Sequence, residues 1–161
     1  MDVSLVTLDE IKLVAIKVVG RRSELSHRVP LAWLDLVNYL DAIPHKVSPD
    51  LFYGVFPESD HLNDGQNGVH TYWVGTHVNL IGEVPLGMST LTIPAQTYVT
   101  ATVQGGVEQI EATYLALGRW LKGNGRRTNP DAYGFERYDN RRQKVTPPYE
   151  RFDYDIFKPL A

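Results

Sequence analysis

A chain of 161 residues is long enough for one domain with a real core, or for two fused modules of half that size. Its 43% hydrophobic and 22% charged residues are those of an ordinary globular protein, and a net charge of −3 with a pI near 5.9 gives no general attraction for nucleic acid or an anionic membrane surface. The absence of cysteine excludes disulfides, thiolate catalysis and thiolate metal ligands, and is compatible with the cytoplasm, the expected location. Residues 1–20 interleave Asp9, Glu10, Lys12 and Lys17 with apolar residues, which excludes a signal peptide or a membrane span there, and no later run is apolar enough to cross a bilayer.

The first elements are rich in Val, Ile and Leu. Val3–Leu8 and Ile11–Val19 read as one long, bent strand or two short ones, stopped at Gly20. A helix follows, starting between Ser26, a plausible N-cap, and Val29, because Pro30 suits a first turn; it runs to about Ile43, before Pro44. Val29, Trp33, Leu36, Val37 and Leu40 form its apolar stripe. Leu51–Phe56 is the next strand, Glu58 to Gly68 a long polar loop, and Val69–Val78 a strand carrying Tyr72 and Trp73. Residues Asn79–Gly87 read as a linker.

The plan then begins again. Met88–Ile93 and Ala95–Val103 form a strand bent around Pro94, Val107–Lys122 a helix, Tyr133–Tyr138 a strand, and Phe152–Phe157 the last strand. Trp33 aligns with Tyr114, Leu34 with Leu115, Leu36 with Leu117, Tyr39 with Trp120 and Leu40 with Leu121, each pair 81 residues apart. Tyr53-Gly54 aligns with Tyr133-Gly134 at a spacing of 80, independent support that does not depend on helical periodicity. The chain is therefore read as a single α+β domain made of two strand-helix-strand-strand modules, about 1–82 and 88–161.

In this register Phe56 stands where Glu136 stands in the second module. Alternation along Tyr133–Tyr138 puts Gly134, Glu136 and Tyr138 on one face and Tyr133, Phe135 and Arg137 on the other. A carboxylate between an empty position and a phenol resembles the floor of a pocket; the ordinary alternative is an exposed strand glutamate paired with Arg137. The asymmetry between the modules makes Glu136 the leading site candidate.

With these residues in place, the chain resembles the gyrase-inhibitor-like effector-binding domain, known both fused to AraC-type and MerR-type multidrug regulators and as a free-standing protein. The resemblance is carried by Ile93-Pro94-Ala95 leading into Thr97-Tyr98-Val99, by Gly105-Gly106 before the helix, by Tyr133-Gly134-Phe135-Glu136-Arg137-Tyr138 and by Asp155-Ile156-Phe157-Lys158-Pro159. It implies an antiparallel sheet with two helices on one face, a pseudo-twofold axis, and a cleft along that axis whose buried glutamate receives cationic, lipophilic drug- or dye-like ligands. Only Glu136 matches that glutamate. Gly20-Arg21 and Gly105-Gly106 replace the Gly-Pro that often precedes each helix in the family, and no helix-turn-helix segment is recognisable. A free-standing member is expected, which does not itself read DNA but could report ligand to a separate regulator or other protein.

A glutamate on an apolar floor is costly until a cation arrives, and aromatic faces add about 0.5–2 kcal/mol by cation–π attraction. Trp33, Phe56, Trp73, Tyr114 and Tyr138 are the candidate ligand-binding residues around Glu136, core packing being the alternative for each aromatic. Either Tyr72 or Trp73 faces the cleft, since neighbours on a strand point to opposite sides. The resemblance also implies a hydrolytic alternative, in which Glu136 is general base and Tyr138 a hydrogen-bond donor for water addition to strained, electrophilic rings. A gyrase-inhibitory-type protein-interaction module is the third reading. No metal or cofactor is expected: His61, His70 and His77 lack a ligand spacing, and no phosphate-cradling loop is present.

Overall fold

The computed structural model describes residues 1–63 and 68–161. Among these, the strands are β1 (Ser4–Leu8), β2 (Ile11–Arg21), β3 (Leu51–Pro57), β4 (Val69–Val78), β5 (Ser89–Ile93), β6 (Gln96–Gly105), β7 (Tyr133–Asp139) and β8 (Phe152–Pro159). The helices are α1 (Arg22–Asn38), α2 (Glu58–Asn63) and α3 (Glu108–Gly123), with a 3-10 turn at Leu40–Ala42. All eight strands form one antiparallel, curled sheet in the order β1-β6-β8-β7-β3-β4-β2-β5.

That order is symmetric about the β7–β3 pair, so the duplication read in the sequence is a pseudo-twofold in the sheet. The axis passes by the central pair Val55 and Phe135, flanked by Gly54 opposite Glu136 on one side and Phe56 opposite Gly134 on the other. The two modules also exchange their first strands. β1 pairs with β6 of the second module, and β5 pairs back onto β2 of the first. Of the two options for the N-terminal segment, two separate strands is therefore correct.

Alternation sorts the side chains. Leu13, Tyr53, Ile93, Tyr98, Phe135 and Phe157 form a core beneath the centre of the sheet. On the other face, Val14, Val18, Phe52 and Val74 pack against Trp33 and Leu36 of α1, while Val99, Val103, Tyr154 and Ile156 pack against Leu117 of α3. The two helix-side cores share the partly buried Tyr138, and a cleft lies between the helices above it.

Three expectations are corrected. α1 starts at Arg22, not between Ser26 and Val29, because the Glu24 carboxylate accepts the Arg21 N–H at 2.9 Å and closes an earlier first turn. Pro30 is thus inside the helix, where it withholds one backbone donor. The α-helix also ends at Asn38, the 3-10 turn carrying the chain on to Ile43. The expected loop Glu58–Gly68 begins as α2, and its residues 64–67 lie outside the described residues. No helix among the described residues is long and apolar enough to cross a membrane.

Candidate ligand-binding cleft

Between α1, α2, α3 and the sheet lies a cleft of about 890 Å³. Glu136 is at its floor. Tyr72 donates to Oε1 at 2.7 Å, Tyr114 to Oε2 at 2.8 Å, and Tyr138 more weakly to Oε1 at 3.4 Å. Each phenol comes from a different element (β4, α3 and β7), so both modules hold one carboxylate.

The local sequence explains how three rings reach it. Gly54 faces Glu136 across the ladder, and a Cβ there would stand 1.7 Å from the Tyr72 hydroxyl. Gly134 likewise leaves space filled by the Phe56 ring, which would lie 2.5 Å from an added Cβ. The repeated Tyr-Gly step therefore serves one purpose twice: an empty strand position lets an aromatic side chain lie across the sheet into the cleft.

Burial pushes the Glu136 carboxyl above the ordinary glutamate range, opposed by the three phenol hydrogen bonds and the positive charge of Lys158. The same burial, with the negative charge of Glu136, pushes Tyr72, Tyr114 and Tyr138 well above the usual phenol range. The phenols consequently stay protonated as donors. Trp33 backs the site, edge-on to Tyr138 at 5.5 Å, and Tyr154 stacks at a tilt against Tyr138 at 4.6 Å.

A second polar group lines the same cleft. Lys158 pairs with Glu58 Oε1 at 2.6 Å, and Thr128 donates to Glu58 Oε2 at 2.7 Å. The Lys158 ammonium also approaches His61 Nδ1 at 3.2 Å and faces the rings of Phe56 and Tyr114, at 5.3 and 5.7 Å. His61 stacks on Phe56 with centroids 3.9 Å apart, and its pKa is pushed down to about 3 by the surrounding protein and by Lys158. It is therefore a neutral acceptor toward the ammonium.

Of the residues selected from sequence, Glu136, Trp33, Phe56, Tyr114 and Tyr138 line this cleft together. Trp73 does not. It lies on the opposite face, edge-on to Tyr133 at 5.6 Å and under Lys17, because Tyr72 takes the cleft side of β4. His70 lines the cleft and His77 packs against Tyr53 on the far face. Among the described residues, no group of three or more His, Cys, Asp or Glu is placed to hold a metal ion. Glu58, His61 and Lys158 were not selected from sequence; the one available signal was a lysine inside the apolar run Ile156–Leu160.

A largely aromatic cleft with a few convergent polar groups, set where two halves of a fold meet, is the form of a domain that takes up small organic molecules. The family comparison gives the same class: residues 1–161 match the GyrI-like small molecule binding domain, and the chain belongs to that family. Among solved structures, it is similar to SAV2435 bound to tetraphenylphosphonium (15% identity, all of this chain and 94% of the other, TM-score 0.70). It is also similar to the EcmrR C-terminal domain (17% identity, 99% and 97% covered, TM-score 0.70). A hydrolase encoded by lin2189 from Listeria innocua shares the fold at 9% identity, with 99% and 91% covered and a TM-score of 0.57. No curated protein matches the chain in sequence.

Proposed function

We propose that this domain binds lipophilic, aromatic cations of the drug or dye type, with Glu136 as counter-ion. One observation carries the reading. A desolvated carboxylate sits at the floor of an aromatic cleft, held by three phenols, with no cation of the described residues within ion-pair distance. A bound cation would offset the desolvation cost that raises the Glu136 pKa, and the faces of Trp33, Phe56, Tyr114 and Tyr138 would cover its apolar groups. The tetraphenylphosphonium held by the structurally similar SAV2435 has this chemistry. The protein would act by sequestering such compounds or by presenting its ligand state to a separate partner.

Titration of tetraphenylphosphonium against the fluorescence of Trp33 and its neighbours tests the proposal, with triphenylphosphine oxide as the neutral comparison. The cation should bind at least about tenfold more tightly, as a desolvated charge pair requires. Equal affinities would overturn the electrostatic reading. The hydrolytic alternative asks Glu136 to take a proton from water, whereas its oxygens already accept from three hydroxyls that occupy the places a water would take, which favours binding over turnover. Stoichiometric saturation rather than product accumulation is expected with cyclopropane-bearing electrophiles.

A further inference from the structure

The cleft has two poles. Glu136 is the negative one, and the positive one is Lys158, which lines the same cavity although its side chain is only 10% exposed. The pair is almost fully buried, yet both of its residues line the cleft. The Lys158 ammonium forms an ion pair with the Glu58 carboxylate and lies within hydrogen-bond distance of His61 Nδ1. The rest of the ammonium faces the rings of Phe56 and Tyr114. Tyr114 connects the poles: its hydroxyl donates to Glu136, and its ring face lies under the Lys158 ammonium.

We propose that the cleft selects amphipathic cations that also carry an anionic acceptor, a carboxylate above all, placed so that the cation meets Glu136 while the carboxylate accepts from Lys158. This inference rests on the reading of Glu136 as counter-ion and narrows its ligand class. A ligand lying along Tyr114 passes from one pole to the other, with Phe56 and Trp33 at its sides. Glu58 offsets the charge of Lys158 through Oε1, so what the pole offers a ligand carboxylate is charge-assisted donation from the ammonium rather than net positive charge. Its Oε2 is directed to Thr128, and hydrogen bonding to a charged donor is directional as well as electrostatic. Burial lowers the Lys158 pKa, and the neighbouring Glu58 carboxylate opposes that shift. A ligand with a second cation at that end would meet Lys158 head-on.

The test compares rhodamine 6G, an ethyl ester, with its hydrolysed free acid, which shares the same cationic ring system. In the unaltered protein the free acid should bind about fivefold more tightly, the scale of one added charge-assisted hydrogen bond after desolvation. The double substitution Lys158→Met with Glu58→Gln removes the pair without leaving a buried lone charge, and should bring that ratio to one or below. An ester that binds as tightly as the acid in the unaltered protein overturns the inference and leaves the counter-ion reading standing. A ratio that survives the double substitution likewise removes Lys158 from the recognition. Failure of both dyes to bind the unaltered protein overturns both readings. Because the first comparison needs no variant, it is independent of how the double variant folds.

Discussion

Gly54→Ala tests the cleft without replacing any of the side chains that line it. The new Cβ would lie 1.7 Å from the Tyr72 hydroxyl and 2.4 Å from its ring carbon Cζ, so the ring must leave its place. Overpacking of this kind costs about 1–3 kcal/mol. Losing the 2.7 Å hydrogen bond to a desolvated carboxylate costs a further amount of about 1.5–3 kcal/mol. Replacing glycine within a strand returns about 0.5–1 kcal/mol. The net destabilisation is therefore about 2–5 kcal/mol, a fall in melting temperature of roughly 5–15 °C for a chain of this size. The mechanism is isolated by a double-mutant cycle with Tyr72→Ala, read by urea denaturation. In that background Gly54→Ala should cost nothing, since its clash and its hydrogen bond are already gone. Additivity of the two substitutions within about 0.5 kcal/mol would refute the argument that Gly54 exists to seat Tyr72.

Glu136→Gln should raise the melting temperature near neutral pH while lowering affinity for tetraphenylphosphonium by about tenfold or more. Burial raises the Glu136 pKa, so the ionised group opposes folding above that pKa; the gain from glutamine therefore shrinks as pH falls toward the ordinary glutamate range of about 4.3. In the unaltered protein, cation affinity should rise with pH through the raised Glu136 pKa and then level off, as a pH series of titrations would show. Gly134→Ala presses the Phe56 ring out of place and breaks its stack on His61, so aromatic ligands should lose affinity more than fluorescence-silent aliphatic amines do in a competition assay. Arg142 donates to Asp153 at 2.7 Å and to Asp155 at 2.9 Å, partly in solvent, and Arg142→Ala should cost about 1 kcal/mol. Burial pushes the Asp155 pKa up, but the Arg142 and Thr102 hydrogen bonds outweigh it and leave it lowered. The Arg142 contribution is thus complete above the ordinary aspartate pKa and fades as pH falls through the lowered one, a trend that thermal melts in acid would follow.

Apart from α2, the sequence carried the element order, the duplication and the face of β7 on which Glu136 and Tyr138 lie, because periodicity and turn residues are local. What it withheld depends on partners distant in the chain. Tyr72 and Trp73 are adjacent aromatics on a strand covered on both faces, so alternation gives no phase to choose between them. Glu58 follows Pro57 and reads as a polar loop residue, yet it is fully buried because Lys158, from β8, neutralises it. The early start of α1 turned on one carboxylate reaching back to Arg21, which a proline eight residues after Arg22 concealed.

The exchange of β1 and β5 has a mechanical consequence. Each module is strapped to the other by a strand sewn into its neighbour's edge, so the two halves cannot swing apart as hinged jaws would. In the proposed binding role, widening of the cavity would fall to α1, α2 and α3 above the sheet. The floor that carries Glu136 then stays rigid while the roof adapts. In the binding role proposed above, a domain built in this way would accept guests of different size without moving its charge.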